Sequence, residues 1–122
     1  MPHVTLAALL NDCKVLSHPA SVDSVPTSGG KEDHVSMGMT SALKLRRIVE
    51  NVERGLAVEL VAAAEALEFR LPLKPGRGVL KAYETVRTLV APLGEDRSLS
   101  DDFERVADAI REGKFDTGLE EI

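Results

Sequence analysis

Residues 17–38 read SHPASVDSVPTSGGKEDHVSMG, and four side chains in or beside this run bear most directly on chemistry: His18, Lys31, Glu32 and His34. Carboxylates and imidazoles can accept or deliver a proton to a small-molecule substrate when a fold positions them. By residue type His34 can serve as a general base, but a helix-start histidine that packs or hydrogen-bonds locally is the simpler role. Glu32, taken on sequence physics alone, is a first-turn glutamate favoured by the helix dipole. Asp33 fits a helix start in either case. His18 either orders the backbone around it or meets a substrate. Metal chemistry finds no support, because His3, His18, His34 and Cys13 have no ligand spacing. A nucleophilic Cys–His pair would need the fold to carry Cys13 to a histidine, and packing at a helix end is the simpler role.

The run itself is a connector. Residues 17–30 are rich in Ser, Pro and Gly, with Pro19, Pro26 and a Gly29-Gly30 pair, which mark turns rather than regular structure. Loops of this length inside compact proteins are often functional. Before it, Leu6, Leu9 and Leu10 sit at helical spacing, so residues 4–10 read as the tail of a helix. After it, no proline interrupts residues 32–69, and the composition predicts one long helix. Leu45, Val49, Val52, Leu56, Leu60, Ala63 and Leu67 recur in steps of three and four and mark one apolar stripe. Lys44, Arg46, Arg47, Glu50, Glu53 and Arg54 cover the other face of its first half, with Glu50 and Arg54 spaced to pair.

The second half of that helix is apolar nearly all round, because Val58, Val61 and Ala62 fall off the stripe; such a helix must be buried on most sides. A helix of about 35 residues is roughly 50 Å long. A compact monomer of 122 residues has a radius of gyration of about 14 Å. The rod is therefore expected to pack against other chains or a further part of its own polypeptide. The alternative is a break near Gly55 that folds it back into a hairpin. Pro72 and Pro75 end the long helix. A short helix is expected over residues 79–91, with Leu80, Tyr83, Val86 and Val90 on one side and Pro92 closing it. The last helix spans 100–112, capped by Ser98 or Ser100, with Asp101 and Asp102 in its first turn and Phe103, Val106 and Ile110 inward. Gly113 stops it, and residues 114–122 are expected to fray. The fold class is all-α, part of an elongated helical bundle.

Bulk composition narrows the partners. A net charge of −5 argues against nucleic acid, whose recognition needs a concentrated basic patch. The single cysteine cannot form an internal disulfide, which points to a reducing cytoplasm. No signal peptide is evident, and no segment offers the ~18 uninterrupted apolar residues of a membrane span.

Two blocks carry a family resemblance. His18-Pro19-Ala20-Ser21-Val22-Asp23-Ser24-Val25-Pro26-Thr27-Ser28 and Glu32-Asp33-His34-Val35-Ser36-Met37 resemble the active-site segment of the histidine ammonia-lyases, within the aromatic amino acid ammonia-lyases. Residues 44–54, KLRRIVENVER, and 66–70, ALEFR, are similar to the long core helix of that family, and Pro92-Leu93 with Glu95-Asp96-Arg97 to its final connector. The sequence looks like the C-terminal segment only, and Met1-Pro2 is compatible with an independent start. It departs at Lys31, where the family often has glutamine, and at Asp12-Cys13, where Glu-Asn is commoner.

The resemblance implies elimination of ammonia from L-histidine to give urocanate, in homotetramers whose sites draw loops from several subunits. It implies Glu32 as the catalytic side chain, accepting a proton or anchoring the amino acid, with Lys31, His34 and His18 as substrate-pocket candidates. The family's electrophile is a methylidene-imidazolone made from Ala-Ser-Gly, a tripeptide this sequence does not contain. Thr27-Ser28-Gly29 is superficially similar but belongs to the Pro-Thr-Ser block and is not expected to cyclise. Alone, the chain is not expected to be active. Either it completes a pocket with other lyase polypeptide, a larger chain or further copies, or it is a non-catalytic helical oligomerisation or regulatory module derived from a truncated lyase.

Overall fold

A computed structural model describes residues 2–116. Helix α1 is Pro2–Leu16, α2 Gly38–Glu68, α3 Arg77–Leu89 and α4 Ser100–Arg111, with one turn of 3-10 helix at Ala20–Val22 and no strand among the described residues. The expected all-α architecture around one long helix is what forms.

Helix α1 is longer than the expected 4–10. Proline is tolerated in its first turn, where its missing N–H has no helical partner to lose, and Lys14 complements the dipole in the last turn. The helix closes where Ser17 N donates to Cys13 O at 2.9 Å and Ser17 Oγ to Lys14 O at 2.7 Å. Pro19 prevents continuation.

Helix α2 runs unbroken through Gly55, so the hairpin alternative is not what the chain adopts. Its 31 residues span about 46 Å at 1.5 Å each. Gly55 sits under α1: a Cβ there would lie 3.1 Å from Leu6 Cδ1. The glycine thus faces a leucine tip of the neighbouring helix and makes no bend. The start at residue 32 is corrected to Gly38. The backbone of Glu32 and Val35 is engaged within the preceding loop instead, through bonds to Thr27 and Ser24.

The core lies between the second half of α2 and the two short helices. Ala57, Val61 and Ala64 meet Val86, Val90, Val106 and Ala107, with Leu60, Tyr83, Phe103, Ile110 and Phe115 packed around them. Alanines on α2 and α4 let the backbones come close, and each fully buried valine contributes ~1.5–3 kcal/mol. The apolar stripe inferred from spacing is mostly not this face. Leu45, Val49, Val52 and Leu56 are exposed, at 45–60%.

Charged pairs fasten the helices. Arg87 reaches Glu65 and Glu68 of α2, both at 2.9 Å, while the Tyr83 hydroxyl donates to Glu68 at 2.7 Å. Burial works against the charge on Arg87, but Tyr83 and the two carboxylates outweigh it and raise its pKa. Asp102 is buried between Arg97 and Arg105. The pairing expected between Glu50 and Arg54 is replaced: Glu50 takes Arg46 at 3.1 Å, and Arg54 takes Glu104 of α4 at 2.8 Å. Arg54 thus takes a partner on a packed helix, whereas Glu50 keeps one along its own helix.

Neither Ser98 nor Ser100 caps α4, whose N-cap position is Leu99 without a side-chain bond. Gly113 does end it, at φ 73°, with Gly113 N on Ile110 O and Lys114 N on Ala109 O, both at 3.0 Å; this is the paired closure that a left-handed glycine permits. Phe115 packs on the core, so fraying does not set in at Lys114; residues 117–122 of that expected tail lie outside the described residues.

Candidate functional site

The loop of residues 17–37 connects α1 to α2 and carries all four candidate residues. Three braces hold it. At its entrance, Lys44 Nζ from α2 donates to the carbonyl of His18. Midway, Val35 N donates to Ser24 Oγ at 2.9 Å, joining the outgoing and returning arms. At its tip, Thr27 and Glu32 form an isolated antiparallel bridge, with Thr27 N to Glu32 O at 3.0 Å and Glu32 N to Thr27 O at 3.4 Å.

Sequence dictates the tip. The four residues between the bridge partners include Ser28, Gly29 and Gly30 at φ 58°, 66° and 80°. Glycine takes this left-handed region freely, whereas an L-residue such as Ser28 bears about 1–2 kcal/mol of strain. Thr27 O also accepts from Gly30 N at 3.1 Å. The Thr27-Ser28-Gly29 run is thus occupied as a tight turn.

Glu32 stands at the end of that turn, exposed, and not in the first turn of a helix as its position alone suggested. Its Oε2 accepts from Thr27 Oγ1 at 3.3 Å. Lys31 immediately precedes it in the turn and is exposed. Asp33 and His34 lie in the returning arm rather than at a helix start, and His34 is exposed. His18 lies at the loop entrance beside a shallow cavity of about 190 Å³, shared with Leu16, Lys44, Leu45 and Ile48.

The loop therefore gathers Lys31, Glu32 and His34 on one short stretch and leaves His18 at its base. Among the described residues, no hydrogen bond or ion pair links Glu32 to either histidine, and no cluster of three metal-ligating side chains occurs. What the chain offers is the exposed carboxylate of Glu32 at the end of a braced turn, with the exposed Asp33 next to it in sequence. Ser24 and Lys44 escaped the sequence reasoning. Their partners lie 11 and 26 residues away, a separation at which spacing gives no signal.

No helix among the described residues is long and apolar enough to cross a membrane. Residues 1–88, from α1 through nearly all of α3, match the model of the aromatic amino acid lyases. The chain is 55% identical over 112 residues to a histidine ammonia-lyase of Myxococcus xanthus (strain DK1622), covering 92% of this chain and 22% of the relative. Among solved structures, the histidine ammonia-lyase of Trypanosoma cruzi superposes with a TM-score of 0.88 at 42% identity, over 93% of this chain and 22% of that one. The tyrosine aminomutase of Streptomyces globisporus does so at 0.81 and 43%, over 89% and 21%. The chain thus spans about 22% of the length of the curated relatives it matches. Matched by the family model over residues 1–88 and superposing on a solved lyase over 93% of its length, the chain belongs to the aromatic amino acid lyase family.

Proposed function

We propose that this chain is the C-terminal part of a histidine ammonia-lyase-like enzyme that eliminates ammonia from L-histidine to give urocanate. In this proposal it works in the cytoplasm and contributes Glu32 to a pocket completed by other polypeptide. The observation that carries the proposal is the state of Glu32: fixed by a bridge at its backbone, yet exposed and without a second acid or base in contact. A carboxylate so held suits a wall of a pocket whose other walls come from elsewhere. The partner is a larger lyase chain or further copies in a homotetramer, and the exposed stripe Leu45, Val49, Val52 and Leu56 is the surface it would cover.

The role of Glu32 is to accept a proton or to hold the polar groups of the substrate, with Lys31, His34 and His18 lining the approach. Lys31 adds a positive charge next to Glu32 in sequence. The methylidene-imidazolone of the family would supply the electrophile of the completed pocket. This chain's residues do not fit its formation, because the sequence has no Ala-Ser-Gly. The group therefore belongs to the completing polypeptide.

The exposed stripe equally favours a second function, that of a non-catalytic oligomerisation module. Affinity purification from native cells with mass spectrometry of the partners separates the two. A larger partner carrying Ala-Ser-Gly, and urocanate formation by the complex, supports the lyase. Recovery of the 122-residue chain alone, self-associated and inactive, supports the module.

A further inference from the structure

We infer that Thr27 is a positioning residue for Glu32, its hydroxyl aiming the carboxylate that the completed pocket uses; this rests on the proposed role of Glu32. The two residues exchange both backbone hydrogen bonds of one antiparallel bridge, at 3.0 and 3.4 Å. Residues directly opposite in such a pair project their side chains from the same face. Thr27 Oγ1 therefore meets Glu32 Oε2, at 3.3 Å, without either side chain reaching across the turn. Oε2 takes this one bond, so the hydroxyl of Thr27 favours one placement of an otherwise exposed carboxylate.

The left-handed run from Ser28 to Gly30 closes the turn that makes this register possible. Valine at position 27 would keep the shape and the bridge but lose the donor. Serine would keep the donor and lose the methyl group that favours extended backbone.

The test uses the chain assembled with the lyase polypeptide that completes it, measuring kcat and KM on histidine for Thr27→Val, Thr27→Ser, Glu32→Ala and the Thr27→Val/Glu32→Ala double variant. Thr27→Val is expected to lower kcat about three- to tenfold, as the loss of one net hydrogen bond does, with KM little changed. Thr27→Ser is expected to stay within about twofold of the parent. The double variant is expected to be no worse than Glu32→Ala, because coupled residues are non-additive.

A threonine that merely stabilised the turn gives the opposite order, Thr27→Val above Thr27→Ser, and overturns the inference. So does failure of Thr27→Val to assemble. Full activity of Thr27→Val beside an impaired Glu32→Ala also overturns it while leaving Glu32 in place. Full activity of Glu32→Ala removes the role of Glu32 and this inference with it.

Discussion

From Ala57 onward, α2 is enclosed by α3 and α4 and buries Ala57, Val58, Val61 and Ala64; before that point it buries only Asn51. The first half is not idle. Asn51 Nδ2 donates to Asp12 of α1 at 2.8 Å, and Arg47 approaches the same carboxylate at 3.4 Å. Yet Leu45, Val49, Val52 and Leu56 stay open, and the candidate loop lies at this end. One end of the helix builds its own core. The other presents an exposed apolar seam and the exposed Glu32, and the candidate site lies at that end.

Removing both cations that neutralise Asp102 should have the largest effect. Arg97→Ala combined with Arg105→Ala leaves a carboxylate that is 1% exposed without its partners, and should cost about 3–5 kcal/mol in urea unfolding followed by circular dichroism. The same assay sharpens the contrast along α2 itself. Val61→Ala, at 2% exposure, should cost about 2 kcal/mol through lost burial and a residual cavity. Val49→Ala on the open half should stay within about 0.5 kcal/mol. Equal costs at both positions would mean that the two halves do not differ as described.

A polar change on the seam should act on assembly rather than on the chain. Leu45→Asp should leave unfolding within about 0.5 kcal/mol of the parent and abolish co-purification with a partner. A small effect of the opposite sign is expected at Gly55→Ala. Alanine is favoured over glycine in a helix by about 1 kcal/mol, offset in part by the tight 3.1 Å approach to the tip of Leu6. A net gain below about 1 kcal/mol is expected, because a leucine terminus can shift by a few tenths of an ångström.

Periodicity and proline punctuation made the helices legible, but not which face each would bury. The stripe through Leu45 and Leu56 is the more regular apolar pattern, yet the chain's own core uses the line through Ala57, Val61 and Ala64, because α4 offers Val106 and Ala107 there. The regular stripe stays exposed on this chain. The loop was legible as a block of residue types, and Gly29-Gly30 announced the turn. What spacing could not supply was the pairing of Thr27 with Glu32 or of Ser24 with Val35. Those pairings use the backbone that a helix beginning at residue 32 would have needed, so the helix starts six residues later.

The most direct test of a carboxylate offered to a pocket completed elsewhere is urocanate formation by the chain joined to a lyase polypeptide carrying Ala-Ser-Gly, with Glu32 intact or changed to Ala. An active complex is expected with the native chain, and an assembled complex with activity lowered at least about 100-fold for Glu32→Ala, as for other positioned acid–base groups. An assembled complex equally active with either side chain would contradict that expectation.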